Sequence, residues 1–205
     1  GYPFIVRSGQ ALDIIHDQGM FQDYLAAASG VSPQRPLLIE KFLENAIEAD
    51  VDAIADGSEV FMPAVTERIE LAGIHPSDSA CVIPPYHPKV VEHLPVLRDY
   101  TRRLGLELGV RGLMNVQFVI APESDPTGPG VFVIEVNPRS SRTVPFLSKV
   151  TGVPMVTLSV NIMLGKSLAE QGYEVSELQH ALTRRQLQQC GRKLRGTIVD
   201  RSFSR

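Results

Sequence analysis

The chain has 205 residues, 43% of them hydrophobic, and a formal charge of −3. That suffices for one large domain or two small ones with a real core, and it excludes disorder by composition. Near-neutral charge gives no drive towards nucleic acid or anionic membrane. The two cysteines, Cys81 and Cys190, form no disulfide framework or metal-ligand spacing, and no apolar run reaches the roughly 18–20 residues of a spanning helix. No nucleic-acid or membrane partner is expected, and a reducing compartment is the simpler reading.

Taken in order, Pro3 to Arg7 reads as a short strand entered mid-domain, with an N-terminal part missing, and Ser8-Gly9-Gln10 as a turn. Ala11 to Ala28 is either a helix or a short strand running into one. Ser29 to Pro36 is a loop, and Leu37 to Leu43 a buried strand. Ala46 to Ala55 alternates apolar and acidic residues, which predicts a half-buried strand with Glu48, Asp50 and Asp52 on one face. Asp56-Gly57 is a hairpin signal, and Val60 to Arg68 returns as the partner strand, so a central antiparallel sheet is expected. Residues 70 to 88 look like loop.

Pro88 to Gly109 reads as a helix from the spacing of Val91, Leu94, Leu97, Tyr100, Leu104 and Leu108, with a break or kink expected near Pro95. Leu113 to Ile120 and Val131 to Asn137 form a hairpin across a turn rich in Pro, Gly and Asp. Val144 to Val150 and Val153 to Leu164 are helical. Residues 173–205 carry a charge of +4 and leave −7 for the rest. They read as a weakly packed helix plus a solvated tail.

Chemistry concentrates in the second hairpin. Alternation puts Glu135 and Asn137 on one face of its second strand, and Phe132, Ile134 and Val136 on the other. Asn115, Gln117 and Val119 share a face of the first strand. If the apolar faces share a core, Asn115 and Gln117 lie beside Glu135 and Asn137. A carboxylate and amide oxygens suit a hard cation such as Mg²⁺, completed by phosphate oxygens and water. The alternative is an exposed polar sheet face. Arg139 and Arg142, just past the strand, add a phosphate clamp. Two weaker clusters are Glu40-Lys41-Phe42-Leu43 with Glu48, suited to a purine edge and ribose hydroxyls, and Gly73-Ile74-His75-Pro76-Ser77, suited to an anion. Ordinary strand and surface turn are their plain alternatives.

These residues resemble the large subunit of carbamoyl phosphate synthetase. The segments are Tyr2-Pro3-Phe4-Ile5-Val6-Arg7, Glu48 to Ile54, Ala72-Gly73-Ile74-His75 with Asp78-Ser79-Ala80-Cys81, Val110 to Phe118, Ile134-Glu135-Val136-Asn137-Pro138-Arg139, and Arg142 to Lys149 with Thr151-Gly152-Val153-Pro154. Gly112 to Phe118 and Arg142-Thr143-Val144-Pro145-Phe146 are similar to the second, carbamoyl-phosphate-forming half.

The resemblance implies an α+β, ATP-grasp fold, incomplete at the N-terminus: residues 1–36 part of the lid subdomain, 37–172 the C-terminal subdomain, and 173–205 an atypical basic tail. It implies an ATP-grasp ligase that phosphorylates carbamate to carbamoyl phosphate. Gln117, Glu135 and Asn137 would hold the divalent metals, two Mg²⁺ or Mn²⁺, with K⁺ as a further cation. Arg139 and Arg142 would hold the phosphoryl group or the carbamate. ATP would contact Glu40, Phe42, Leu43 and Glu48 through adenosine, Gly73, Ile74, His75 and Ser77 beside the phosphates, and Gln117 and Glu135 through the metals. Implied partners are the rest of the large subunit and a glutaminase small subunit. The setting would be pyrimidine and arginine synthesis, in the cytoplasm or, in a eukaryote, the mitochondrial matrix.

The chain departs from the family where Arg7 runs directly into Ser8-Gly9-Gln10, shortening the phosphate lid. Residues 174–205 do not align. A catalytically defective ATP-binding or structural fragment is therefore the alternative. Val144-Pro145-Phe146-Leu147-Ser148-Lys149 argues against a biotin-carboxylase relative.

Overall fold

The computed structural model describes residues 4–8, 11–27, 37–72, 79–122, 130–173 and 198–200. The chain divides into two units, Gly1–Asn45 and Ala46–Arg205.

The first unit is a three-stranded antiparallel sheet and one helix. β1 (Phe4–Ser8) pairs with β2 (Ala11–Ile15) on one side and β3 (Leu38–Lys41) on the other. Of the two readings for residues 11–28, strand followed by helix is the one found. The Asp17 carboxylate starts α1 (Gln18–Ala27) by accepting the Met20 N–H at 2.9 Å. The buried strand expected over Leu37 to Leu43 is corrected: β3 is an edge strand, and Leu38 and Ile39 are 52% and 53% exposed. An apolar run cannot reveal that, among the described residues, its sheet has three strands and it lies at the edge. β3 pairs with β1, and the compact units divide after Asn45.

The second unit is built on a six-stranded sheet in the order β8-β7-β4-β5-β6-β9, antiparallel throughout. The strands are β4 (Ile47–Asp56), β5 (Val60–Leu71), β6 (Cys81–Ile83), β7 (Arg111–Ile120), β8 (Val131–Asn137) and β9 (Ile198–Asp200). The β4–β5 hairpin closes on Asp56, whose Oδ1 accepts the Ser58 and Glu59 N–H groups at 2.9 and 2.8 Å, while Gly57 supplies a φ of 92°.

One sheet face buries Ala49, Val51, Ala53, Val60, Met114, Val116 and Phe118 against α2 (Pro88–Glu107). Of the expected stripe, Leu97 is buried and Leu94, Tyr100 and Leu104 pack against this core, Val91 and Leu108 are exposed, and Val90, Thr101 and Gly105 complete the buried face. Pro95 sits inside the helix, which continues on both sides of it.

The opposite face is split. At one end Ile54 and Phe61 pack under α3 (Val144–Thr151) and α4 (Met155–Met163) through Val144, Leu147, Met155, Leu158 and Ile162. At the other end it carries Asp50, Asp52 and Asn115, all buried. β4 is therefore covered on both faces, not half-buried as alternation suggested, because acidic side chains on the strand find buried partners.

Three further expectations change. The loop expected over 70–88 contains the end of β5 and all of β6. Glu67 Oε2 accepts the N–H groups of Tyr86 and His87, and Glu70 Oε2 accepts the Ser79 hydroxyl and the Ala80 N–H, stapling the return. In β8 a bulge falls at Ile134: Glu135 faces Gln117 but Val133 faces Phe118. Phe132, opposite Val119, thus shares the face of Glu135 instead of that of Val136. Within the tail, Ile198–Asp200 pairs with β6; the helix expected there lies outside the described residues. Among the described residues no single helix is long and apolar enough to cross a membrane.

Candidate functional site

Two rows of side chains cross the polar end of the sheet. Asp50, Gln117 and Glu135 are register partners on β4, β7 and β8, and Asp52, Asn115 and Asn137 form the next row. The rows exist because each strand alternates apolar and polar residues in the same phase. On β8, Asn137 Nδ2 donates to Glu135 Oε1 at 2.7 Å, holding the two side chains together. Glu48, half-buried, lies opposite Val119 on the same face as Asp50.

After Asn137 the chain makes a tight turn, with the Arg139 N–H donating to the Asn137 carbonyl at 2.8 Å. Thr143 then opens α3, with Pro145 in its first turn. The turn and sheet enclose a cavity of about 210 Å³ lined by the guanidinium residues Arg68, Arg139 and Arg142, the amides Asn115 and Gln117, and the hydroxyls of Ser140, Ser141 and Thr143. Three cations and no carboxylate on the lining favour an anion with several oxygens.

Two acids lie beneath this lining. Asp50 accepts from Arg68 Nε at 2.5 Å, and Arg68 Nη2 is also bonded to the same oxygen. Burial pushes Asp50 up to about 6 and outweighs the pull of Arg68. Asp52 accepts from Thr143 Oγ1 at 2.5 Å and Asn115 Nδ2 at 3.2 Å. Burial raises it too, against the hydrogen bonds of Ser141, Thr143 and Asn115.

The structure brings Gln117, Glu135, Asn137, Arg139 and Arg142 into one neighbourhood. Glu40, Phe42 and Leu43 lie on and just after β3, in the first unit. Gly73, Ile74, His75 and Ser77 lie outside the described residues. Sequence reasoning missed Arg68, Ser141 and Thr143 as site residues. The only signal was the acidic alternation in β4, which announces buried partners without naming them. Among the described residues no group of three or more His, Cys, Asp or Glu could hold a metal.

Solved structures share this architecture. The biotin carboxylase domain of a single-chain bacterial carboxylase matches with a TM-score of 0.64 at 20% identity, over 86% of this chain and 36% of that one. The biotin carboxylase domain of Hydrogenobacter thermophilus 2-oxoglutarate carboxylase, in complex with MgADP, ADP and bicarbonate, matches with a TM-score of 0.56 at 20% identity, over 82% and 38%. The fold is thus ATP-grasp, antiparallel sheets with flanking helices.

The family model described as carbamoyl-phosphate synthase L chain, ATP binding domain, matches residues 1–171. The carbamoyl phosphate synthase large chain of Methanothermobacter thermautotrophicus is 45% identical over 187 residues, 88% of this chain and 17% of that one. The chain belongs to the carbamoyl-phosphate synthase L chain ATP-binding family, and it spans about 17% of the length of that curated relative.

Proposed function

We propose that this chain, within a longer synthetase, binds ATP with Mg²⁺ and phosphorylates carbamate to carbamoyl phosphate. The observation that carries the reading is the pairing of Gln117 with Glu135, and of Asn115 with Asn137, beside a cavity lined by three arginines. Family membership and the name of the large-chain relative support it.

The residues fit a metal that arrives with its nucleotide. Gln117, Glu135 and Asn137 offer one carboxylate and amide oxygens, hard donors too few to cage an ion alone, so phosphate oxygens and water complete the shell. When bound, Mg²⁺ or Mn²⁺ supplies neutralisation of phosphate charge during transfer. Arg139 and Arg142 grip the phosphoryl oxygens and orient the carbamate oxygen towards them. Glu40, Phe42, Leu43 and Glu48 are the proposed adenosine contacts, with Gly73, Ile74, His75 and Ser77 beside the phosphates, by family resemblance. The whole enzyme is proposed to take nitrogen from glutamine or ammonia, through a glutaminase subunit, for pyrimidine and arginine synthesis, with K⁺ as a further cation.

The chain and its full-length parent are assayed for ATP formation from ADP, carbamoyl phosphate and Mg²⁺. Glu135→Gln is expected to lower the rate by about 10²-fold or more; an unchanged rate would remove the metal assignment. A segment that binds ATP without turnover is the second reading, favoured by Ser8 directly following Arg7 where the family's lid is longer. Calorimetry showing Mg-ATP binding, with no ATP formed by chain or parent, would select it.

A further inference from the structure

The turn that carries Arg139 and Arg142 is tied to the middle of the sheet through Asp52. Asp52 lies on β4, flanked by β5 and β7, and is 0% exposed. A carboxylate there is costly, and a small apolar residue like its neighbours Ala53 and Val51 would fill the strand without that cost. Its oxygens point in two useful directions. Oδ1 accepts from Asn115 Nδ2 at 3.2 Å, and Oδ2 accepts from Thr143 Oγ1 at 2.5 Å.

Thr143 gives the second observation. It is the N-cap residue of α3, where a threonine hydroxyl ordinarily accepts an N–H of the first helical turn. Here it makes no such bond. Its hydroxyl instead reaches back to Asp52 and lies 2.7 Å from Ser141 Oγ, and Ser141 Oγ also accepts the Thr143 N–H at 3.2 Å. Local helix stability is forgone for a tie across the chain. Arg142 is the residue before Thr143, and Arg139 stands three residues before Arg142.

We propose that Asp52 is a positioning residue, acting through the hydroxyls of Thr143 and Ser141 to hold the turn that presents Arg139 and Arg142 to the cavity. Asp52 itself does not touch the bound anion. The proposal rests on the phosphoryl-transfer reading for its kinetic consequence, but not for its structural one. A guanidinium displaced by about 1 Å loses on the order of 10²-fold in a transfer step that depends on alignment.

The test uses the 205-residue chain and the full-length parent, each with Thr143→Val, Thr143→Ser and Asp52→Asn. Hydrogen exchange of the 139–142 amides is expected to rise about tenfold in Thr143→Val and return to wild type in Thr143→Ser, with α4 amides unchanged. In the parent, kcat for ATP formation falls about 10–100-fold in Thr143→Val with KM for ADP within about twofold, Thr143→Ser restores it, and Asp52→Asn falls in the same direction. Exchange at 139–142 unchanged in Thr143→Val overturns the proposal, whatever the activity. So does equal loss in Thr143→Val and Thr143→Ser, which marks a general packing defect. If exchange responds while wild-type parent forms no ATP, the positioning role stands and the phosphoryl-transfer reading fails.

Discussion

Arg68 on β5 and Asp50 on β4 form an ion pair with side chains only 8% and 4% exposed, Nε donating to Oδ2 at 2.5 Å. The pair underlies the cavity, since Arg68 also lines it. Removing one partner of such a pair leaves a buried charge alone, which is worse than never having built the pair.

Arg68→Met is therefore expected to cost about 3–5 kcal/mol at pH 8. Burial already pushes Asp50 up to about 6, so its folded value lies above the unfolded one and the folded state holds its proton more tightly. Without the guanidinium the folded value rises further, so the loss should shrink as pH falls from 8 towards about 6 and level off below it. Urea unfolding at pH 8 and pH 5 measures it; equal losses at both would refute the account.

Asp56 runs the other way. Burial opposes its ionisation, but the N–H groups of Leu168, Glu59 and Ser58 and the Ser58 hydroxyl hold it below the usual carboxylate range. Its stabilisation is present above the unfolded value, about 4, and is lost as pH falls through the lower folded one. Asp56→Asn should cost about 1–3 kcal/mol at pH 7 and progressively less below pH 4. Thermal unfolding across that range would show a gap that closes, and a constant gap would count against it.

At Gly105 α2 lies tight against the sheet. A Cβ there would lie 2.9 Å from Val60 Cγ2 and 3.1 Å from Met114 Sδ. Alanine would gain about 1 kcal/mol of helix propensity. Overpacking of about 1–3 kcal/mol outweighs it, because the valine methyl is fixed to a stiff β-branched side chain. Gly105→Ala should lower the melting temperature, and adding Val60→Ala should restore part of it.

Under the proposed function, Arg142→Lys keeps the charge but loses the planar fork that meets two phosphoryl oxygens. We expect kcat for ATP formation by the parent to fall about 10–100-fold with KM for ADP little changed. A change confined to KM would place Arg142 in ground-state binding only.

The second hairpin was legible because β7 alternates cleanly, β8 alternates from Glu135 to Asn137, and a turn-rich link joins them. That sufficed to put Gln117 beside Glu135. Arg68 was not legible, since its partner Asp50 is met only once β4 and β5 are in register. β6 was hidden because its three residues sit among prolines and pair with a strand already assigned elsewhere. The exposure of β3 depends on the size of its sheet, which no local pattern encodes. Pro95 misled because a missing N–H is tolerated where the surrounding helix is held to the sheet on both sides, by Val90 and Leu97.

The extra residue at Ile134 also guards the site against slippage. In a plain hairpin, β8 could slide by one position and carry Glu135 and Asn137 to the wrong side of the sheet. With Ile134 bulged out opposite the Gln117–Phe118 step, the two halves of β8 are out of phase. Sliding would require the bulge to migrate as well. A one-residue irregularity at the sheet's edge thus acts as a ratchet pin, fixing which β8 side chain faces Gln117 even though, among the described residues, the strand has a neighbour on one side only.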